Sequence, residues 1–265
     1  MKFSIVTLSF NQAKFLEQAI RSVLDQDYDN IEFIVVDPGS TDGSRDVIER
    51  YRDRIAKTIF EPDHGPADGL NKGFAVATGD IYGFLNSDDV LFPGALSRVV
   101  GYFRAKPETD IVIGHEWIID GDGCKVRKSY SDRFEPRAFA YGGGVIAQQS
   151  TFFRAELYKK TKGFDISLPV QWDTDLFLDL FQATNKTLYV DDFFGGFRIH
   201  SEAITRNRTR ELEDARRACE LARFERIVGR RWRRSDYPFR LYYKMRKYLI
   251  EPRALMEWLR YGSNE

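Results

Sequence analysis

The chain has 265 residues, of which 43% are hydrophobic and 30% are charged, and its formal charge sums to zero. This composition is typical of a globular protein and excludes a disordered or fibrous one. Two cysteines are too few for a disulfide scaffold or a Cys-x-x-Cys zinc site, and no apolar run approaches the ~20 residues that cross a bilayer. An N-terminus that enters a strand pattern directly, without a signal peptide, predicts a cytoplasmic protein.

Predicted strands and helices alternate through the first 115 residues. Asn11 is the predicted N-cap of the first helix. The alternation predicts an α/β fold, a sheet of mainly parallel strands with helices on both faces. Ligands of such sheets bind beyond the carboxyl ends of the strands, where polar clusters lie at 9–11, 37–42 and 86–89. The apolar runs predicted to form buried strands are 3–8, 31–36, 55–60, 81–85 and 111–113.

The pattern changes after residue 115, and no linker separates the two halves. Residues 120–123 are predicted to turn a hairpin and residues 173–183 to form a helix. Short strands are predicted at 149–153 and 188–190. This mixture predicts an α+β half that continues directly from the first.

Two adjacent carboxylates, Asp88 and Asp89, follow the predicted strand at 81–85. Two negative charges at the end of a buried strand are costly unless a cation compensates them. Mg²⁺ and Mn²⁺ are hard ions that prefer oxygen ligands and often bridge to phosphate, so they suit this position. The alternative is a solvated loop in which one Asp caps the next helix.

Asp37 ends the predicted strand at 31–36. An Asp at this place often hydrogen-bonds a ribose in nucleotide-binding sheets, but it also suits an Asx turn leading into Pro38 and Gly39. The Gly-x-Gly-x-x-Gly fingerprint and the Walker A sequence are absent. Their absence argues against a dinucleotide-binding dehydrogenase and a P-loop enzyme.

An ordered set of short motifs resembles the inverting glycosyltransferases of family 2, which have the GT-A fold, and specifically those of polysaccharide biosynthesis. The motifs cover roughly residues 3–205, and their order along the chain is that of the family. They are IVTLSFN at 5–11, VVDPGSTDGS at 35–44, NKG at 71–73, ATGD at 77–80, GFLNSDD at 83–89, QSTFFR at 149–154, GFD at 163–165, WDTDL at 172–176 and RIH at 198–200.

The resemblance implies an activity and a set of site residues. The activity is metal-dependent transfer of a sugar, with inversion, from a nucleotide-sugar donor to a glycan or lipid-linked acceptor in surface polysaccharide synthesis. Asp173 is the implied general base. Asp89 and His200 are the implied ligands of Mn²⁺ or Mg²⁺. The implied donor contacts are Thr7, Ser9, Asn11, Asp37, Ser40, Lys72 and Asp88.

Some of these assignments have alternatives in the sequence. Trp172 stands where the family often has an acidic residue, so Asp175 is a second choice for the base. His200 also suits an ordinary hydrogen-bonded residue near a strand end. Trp172 and Gly143 are assigned to the acceptor pocket, although a core tryptophan and a flexible loop would explain them equally.

The resemblance divides the chain into a catalytic domain at 1–205 and a tail at 206–265. Residues 1–115 form the implied nucleotide-sugar-binding half, and residues 116–205 form the acceptor half. Other functions on the same fold are a non-catalytic nucleotide-sugar-binding protein and a nucleotidyltransferase. A nucleotidyltransferase would need a Gly-rich basic loop after the first strand, which residues 9–12 lack.

The tail is predicted to be basic and helical. Residues 206–260 carry 17 Lys and Arg against 8 Asp and Glu, whereas residues 1–205 carry 23 against 31. Within 238–260, apolar residues follow a rough helical stripe broken near Pro252. A basic amphipathic helix suits an anionic membrane surface, which would place the protein at the inner face of the cell membrane. Docking on the acidic body and a contact between copies of the chain are the alternatives, and nucleic acid is not an expected partner.

Overall fold

The computed structural model describes residues 1–203, 206 and 208–262. Its strands are β1 (Phe3–Leu8), β2 (Ile31–Val36), β3 (Lys57–Ile59), β4 (Ile81–Asn86), β5 (Val90–Leu91), β6 (Ile111–Ile119), β7 (Lys125–Ser129), β8 (Thr151–Arg154) and β9 (Thr187–Arg198). Its helices are α1 (Ala13–Leu24), α2 (Ser44–Arg50), α3 (Pro66–Ala75), α4 (Ala95–Ala105), α5 (Pro136–Ala140), α6 (Ala155–Tyr158), α7 (Trp172–Ala183), α8 (Arg210–Val228), α9 (Tyr237–Ile250) and α10 (Pro252–Tyr261).

The described strands form one sheet in the order β3-β2-β1-β4-β8-β6-β9-β5, and β7 pairs with β6. β3, β2, β1 and β4 are parallel, so their carboxyl ends meet at one edge. β8 runs antiparallel to β4 and β6, whereas β9 is parallel to β6. The predicted α/β class, with a mainly parallel first half and a mixed second half, is confirmed.

Each face of the sheet is covered by helices, as predicted. One apolar cluster joins the sheet to α1, α2 and α4, and a second joins it to α3, α5, α6 and α7. Helix α1 shows why, because Phe15, Leu16, Ala19, Ile20 and Val23 recur at helical spacing and are buried against the sheet. Full burial of one such side chain contributes about 1.5–3 kcal/mol.

Side chains along β1 alternate between the two faces of the sheet, and this alternation determines on which face its last polar residues lie. Phe3 and Ile5 face the α1 side of the sheet, whereas Val6 faces the α3 side. Because strand side chains alternate with period two, Thr7 and then Ser9 continue on the α1 side. On β2, Val35 also faces that side, so Asp37 follows it there.

One local prediction is wrong, and one predicted strand is confirmed but too short. Asn11 does not cap α1, because its backbone is left-handed (φ 52°) and its Oδ1 accepts a hydrogen bond from Thr41 N at 2.9 Å. Asp42 instead accepts the bond from Ala13 N at 2.8 Å. The strand predicted at 188–190 extends over all of β9, because Gly195 lets the strand approach β5; a Cβ there would lie 2.8 Å from the carbonyl oxygen of Val90.

The tail forms three helices, and one face of it contacts the body. Phe224 of α8 is fully buried beside Tyr141. Arg246 of α9 pairs with Glu135, and Arg253 of α10 bonds Asp191 at 2.8 Å. Within the described ranges no helix is long and apolar enough to cross a membrane.

Candidate active site

Three buried polar atoms that have no hydrogen-bond partner among the described residues lie at the carboxyl ends of β1 and β2. They are Thr7 Oγ1, Ser9 Oγ and Asp37 Oδ2. Ser9 N donates to Val36 O at 2.9 Å, so Ser9 and Asp37 lie on adjacent chain segments. Most buried polar groups in proteins are hydrogen-bonded, and leaving one unpaired costs about 1–3 kcal/mol. Three in one place mark a position where a polar ligand would complete the structure.

The Asp37 carboxylate is held on one side only. Its Oδ1 accepts from Gly39 N (3.1 Å), Ser40 N (2.8 Å) and Arg45 Nε (3.1 Å). The bonds to the two following amides form the predicted Asx turn. The turn leaves Oδ2 available, so the structural and the ligand-binding interpretations of Asp37 are compatible.

Asn11 and Ser40 join the two loops that follow β1 and β2, next to these unpartnered atoms. Asn11 N donates to Ser40 Oγ at 2.8 Å, which complements the bond between the Asn11 side chain and the loop after β2. The role of both residues as donor contacts, implied by the resemblance, stays a prediction. The contacts seen in the structure are those of loop positioning.

Asp89 is almost completely buried, with 1% of its surface exposed. Its Oδ1 accepts from Arg198 N at 2.9 Å and its Oδ2 from Asn86 Nδ2 at 3.3 Å. Burial, and then the neighbouring charge of Asp88, raise the pKa of Asp89 well above its ordinary value. A nearby cation would reverse that shift by stabilising the charged form.

Arg198 fixes the loop that carries both carboxylates. The guanidinium is buried and donates from Nε to Asp88 O at 2.6 Å. It also donates from Nη1 to the carbonyl oxygens of Asp120 and Gly121, both at 3.0 Å. The 120–123 turn, predicted from its sequence, thus provides backbone acceptors next to the site.

His200 contacts Asp88 rather than Asp89. Its Nε2 lies 3.0 Å from Asp88 Oδ2, and its ring packs on Phe15 with centroids 4.5 Å apart. His200 Nδ1 is buried and has no partner in the part of the chain that the structure describes. Among the described residues, no three His, Cys, Asp or Glu side chains converge as a metal-binding group. Mg²⁺ sites often use only one or two carboxylates together with substrate phosphates, and the donor set here fits that type.

The structure distinguishes the two candidate bases at the start of α7. Asp175 forms ion pairs with Lys162 and Arg226, each at 3.1 Å. Asp173 is partly buried and forms no ion pair within the described part of the chain; its Oδ1 accepts only from Thr174. Burial raises the pKa of Asp173. The preceding Gln171 has a left-handed backbone with φ 58°, a strained conformation that is enriched at functional sites.

The remaining predicted contacts do not converge on the pocket. Lys72 donates to Pro62 O at 2.5 Å and pairs with Asp68 at 3.1 Å. Trp172 packs on the core rings of Phe84 and Phe164.

Gly143, assigned to the acceptor pocket, lies against α9. A Cβ at Gly143 would be 2.8 Å from the carbonyl oxygen of Tyr243. The glycine run at 142–144 therefore permits close approach between this loop and the tail.

A cavity of about 400 Å³ separates the tail from β6, β7 and the end of β9. Its lining includes Ile199, next to His200, and the cations Arg127 and Lys247. It also includes Glu116, whose Oε1 accepts from Ser129 Oγ at 2.9 Å. Burial raises the pKa of Glu116 to about 7. The cavity therefore lies between the tail and the part of the sheet formed by β6, β7 and the end of β9.

Sequence reasoning missed Arg45, Glu116, Gln149 and the contacts of Arg198. Arg45 stacks over Phe60 and forms an ion pair with Asp37. A single Arg in a short helix gives no sequence pattern from which this contact could be predicted. Gln149 is buried, and neither of its amide atoms has a partner among the described residues. It begins the motif at 149–154, which assigns it no separate role. For Glu116 a sequence signal exists, because a charged residue inside the apolar run of β6 is unusual and marks a position worth examining.

Comparison with known proteins places this chain in a class. The family model described as Glycosyl transferase family 2 matches residues 4–161. Because the match covers more than half of the chain, the protein belongs to glycosyl transferase family 2.

Two relatives agree with this assignment. An uncharacterized glycosyltransferase of Nostoc sp. is 44% identical over 126 residues, which are 46% of this chain and 38% of the relative. The Bacillus subtilis glycosyltransferase TuaG, named for teichuronic acid biosynthesis, is 39% identical over 89 residues, which are 32% of this chain and 35% of TuaG. The matched regions thus span less than half of each relative.

Solved structures show the same fold. Staphylococcus aureus TarS 1–349 in complex with UDP-GlcNAc has a TM-score of 0.68 at 16% identity, covering 95% of this chain and 73% of TarS. The mannosyltransferase PcManGT from Pyrobaculum calidifontis, in complex with GDP-Man and Mn²⁺, has a TM-score of 0.61 at 18% identity, covering 100% of this chain and 76% of PcManGT.

Proposed function

We propose that this glycosyltransferase moves a hexosyl group from a nucleotide-sugar donor to an acceptor hydroxyl, with inversion. The observation that carries the proposal is the group of unpartnered atoms of Thr7, Ser9 and Asp37 at the strand ends. In open α/β sheets this edge is where ligands bind. The solved neighbours bind UDP-GlcNAc and GDP-Man, which supports a nucleoside diphosphate in this pocket.

Asp173 is the proposed general base. An acceptor hydroxyl becomes a good nucleophile only when a positioned group takes its proton. Asp173 forms no ion pair among the described residues, and burial raises its pKa while the charge of Arg223 acts in the opposite direction. A carboxylate with a raised pKa suits that role. Asp175 suits it poorly, because Lys162 and Arg226 occupy it. One such carboxylate supports a single displacement, hence inversion, since retention by double displacement needs a second one as nucleophile.

Asp89 and His200 would hold Mn²⁺ or Mg²⁺, and Asp88, which lies 3.0 Å from His200 Nε2, would contact the donor. A bound divalent ion supplies charge stabilisation for a departing diphosphate. The raised pKa of Asp89 and the unpartnered His200 Nδ1 support this assignment. Arg198 contributes by holding the Asp88 backbone in place.

The acceptor is proposed to enter from the tail side. Residues of the 116–205 half and of the tail line the cavity, which supports 116–205 as the acceptor half and leaves 1–115 as the proposed donor half. The name of TuaG supports a glycan acceptor of a surface polysaccharide. Arg127 and Lys247 in the lining suit an acceptor that carries negative charge.

The test is a thermal-shift panel on the full chain with UDP, GDP, TDP, CDP and their common sugar conjugates, with and without Mn²⁺. A ligand at ~100 times its Kd adds about 2.7 kcal/mol of stability, which is easily detected. We expect one nucleotide to raise the Tm, and Mn²⁺ to increase the rise. Asp37→Asn should remove the shift, whereas Asp46→Asn, an exposed carboxylate on α2, should keep it. Absence of any shift would contradict the proposal, and binding without sugar transfer would indicate a non-catalytic protein.

A further inference from the structure

One side of α9 exposes an unbroken row of large apolar residues. Tyr237, Leu241, Met245 and Leu249 are spaced four residues apart, and each is more than half exposed. Residues at this spacing lie on one face of a helix. Tyr242 beside them is 55% exposed. Contiguous exposed apolar patches of this kind mark interaction sites.

The opposite side of α9 is already occupied by the body. Tyr243 stacks on Tyr141 with centroids 5.3 Å apart, and Arg240 bonds Glu220 at 2.8 Å. The apolar row therefore faces away from the body. It is not the side of α9 that packs on the core, because that side already contacts Tyr141.

Helix α10 adds to the exposed apolar surface. Met256 and Leu259 are 69% and 68% exposed, and Trp258 is 44% exposed. On the side of α10 that faces the body, Glu257 Oε2 accepts a hydrogen bond from Lys128 N at 2.9 Å. Both helices thus have one side on the body and one apolar side outward.

Charge is distributed so that acids turn inward and cations remain outside. Residues 229–262 contain ten Lys and Arg but only three acids. Those acids are engaged, because Asp236 pairs with Arg230, Glu251 with Arg253, and Glu257 with the β7 backbone. The exposed cations that form no ion pair within the described residues are Arg233, Arg234, Lys244 and Arg260.

We propose that the outer face of α9 and α10 binds an anionic lipid surface. Apolar and aromatic side chains flanked by Lys and Arg are the combination that inserts into a lipid interface and is attracted by anionic headgroups. A two-fold contact between copies fits less well, because an isologous interface brings the same patch of each copy together. It would place these cations opposite one another. The inference goes beyond sugar transfer and does not depend on it.

The test is flotation of the full chain with vesicles of phosphatidylcholine and 30% phosphatidylglycerol, compared with pure phosphatidylcholine. We expect binding only to the anionic vesicles, and at least tenfold weaker binding for Leu241→Ser/Met245→Ser/Leu249→Ser. The matched control is Ile166→Ser/Leu221→Ser, which removes exposed apolar side chains elsewhere and should bind like the wild type. Circular dichroism checks that each variant is folded.

A charge variant tests the electrostatic part separately. Lys244→Glu/Arg260→Glu should weaken binding to the anionic vesicles, and added salt should weaken wild-type binding in the same way. No binding by the folded wild type, or full binding by the apolar variant, would overturn the proposal. A wild-type dimer in sedimentation that the apolar variant converts to monomer, without vesicle binding, would assign the face to a second copy instead.

Discussion

The guanidinium of Arg226 lies 3.1 Å from the carboxylate of Asp175, and this pair joins the tail to the helix that carries the proposed base. Arg226 also bonds Asp179 and Gln182 on the same helix. Asp175 is thereby held in direct ion pairs. Asp173, two residues earlier, has none among the described residues, and Arg223 acts on it through its charge alone. The tail thus contributes to the difference between two carboxylates that the sequence could not separate.

Replacing the proposed base should separate binding from chemistry. Asp173→Asn keeps the size of the side chain but cannot accept the acceptor proton, so transfer should fall by about 10²–10⁴ while nucleotide binding persists. Asp175→Asn should retain most of the transfer. Steady-state rates and nucleotide Kd values for both variants test the assignment, and the reverse pattern would identify Asp175 as the base.

Thr7→Val should stabilise the ligand-free protein and weaken nucleotide binding. The buried Oγ1 has no partner, so replacing the hydroxyl by a methyl group removes a cost of about 1–3 kcal/mol. We expect a higher Tm without ligand and weaker nucleotide binding. Thr151→Val is the control, because Thr151 Oγ1 is buried and donates to Ala147 O at 2.7 Å; it should lower the Tm. A destabilised Thr7→Val protein would contradict the prediction.

Arg226→Ala should loosen α7 from the tail. The loss of a partly buried ion-pair network should cost about 1 kcal/mol, or roughly 2–4 °C in Tm for a chain of this size. Arg210→Ala, which removes a 92% exposed side chain from the same helix, should leave the Tm unchanged. Equal melting temperatures for the two variants would show that this network does not stabilise the fold.

Glu116 should make stability depend on pH. Its pKa is about 7 in the folded protein and 4.5 as the ordinary value. The folded state therefore binds the proton more tightly, and the free energy of unfolding should fall as the pH rises from about 4.5 through 7, by up to about 3 kcal/mol. Glu116→Gln should show a smaller decline, because Asp89 and Asp173, whose pKa values are also raised, contribute in the same direction. Urea denaturation at pH 5, 6, 7 and 8 measures it, and parallel curves for the two proteins would refute the assignment.

Local sequence patterns predicted the parallel first half of the sheet, where consecutive strands pair with near neighbours in the chain. β1, β2 and β4 are apolar runs that end in polar clusters, so both the strands and the edge where Thr7, Asp37 and Asp88 gather could be predicted. β9 could not be predicted in full, because Asp191, Asp192 and the glycine pair at 195–196 interrupt its apolar pattern. Its pairing is decided by distant neighbours.

The same limit applies to the site. Arg45, Arg226 and the buried contacts of Arg198 depend on which segments the fold brings together, and their local sequences look like ordinary charged surface. The exposed face of the tail was visible as a stripe of apolar residues. Which side of that stripe contacts the body required the structure.

The contacts of Arg198 also determine when the site can form during synthesis. Its side chain reaches Gln18 across 180 residues, Asp88 across 110 and Asp120 across 78. Contacts this distant in sequence slow folding, because large loops must close before they form. The ribosome must therefore deliver about three quarters of the chain before the carboxylate loop can be locked in place. Until then the strands β1, β2 and β4 can be complete in a nascent chain, but the Asp88 backbone lacks the bond from Arg198 that holds it.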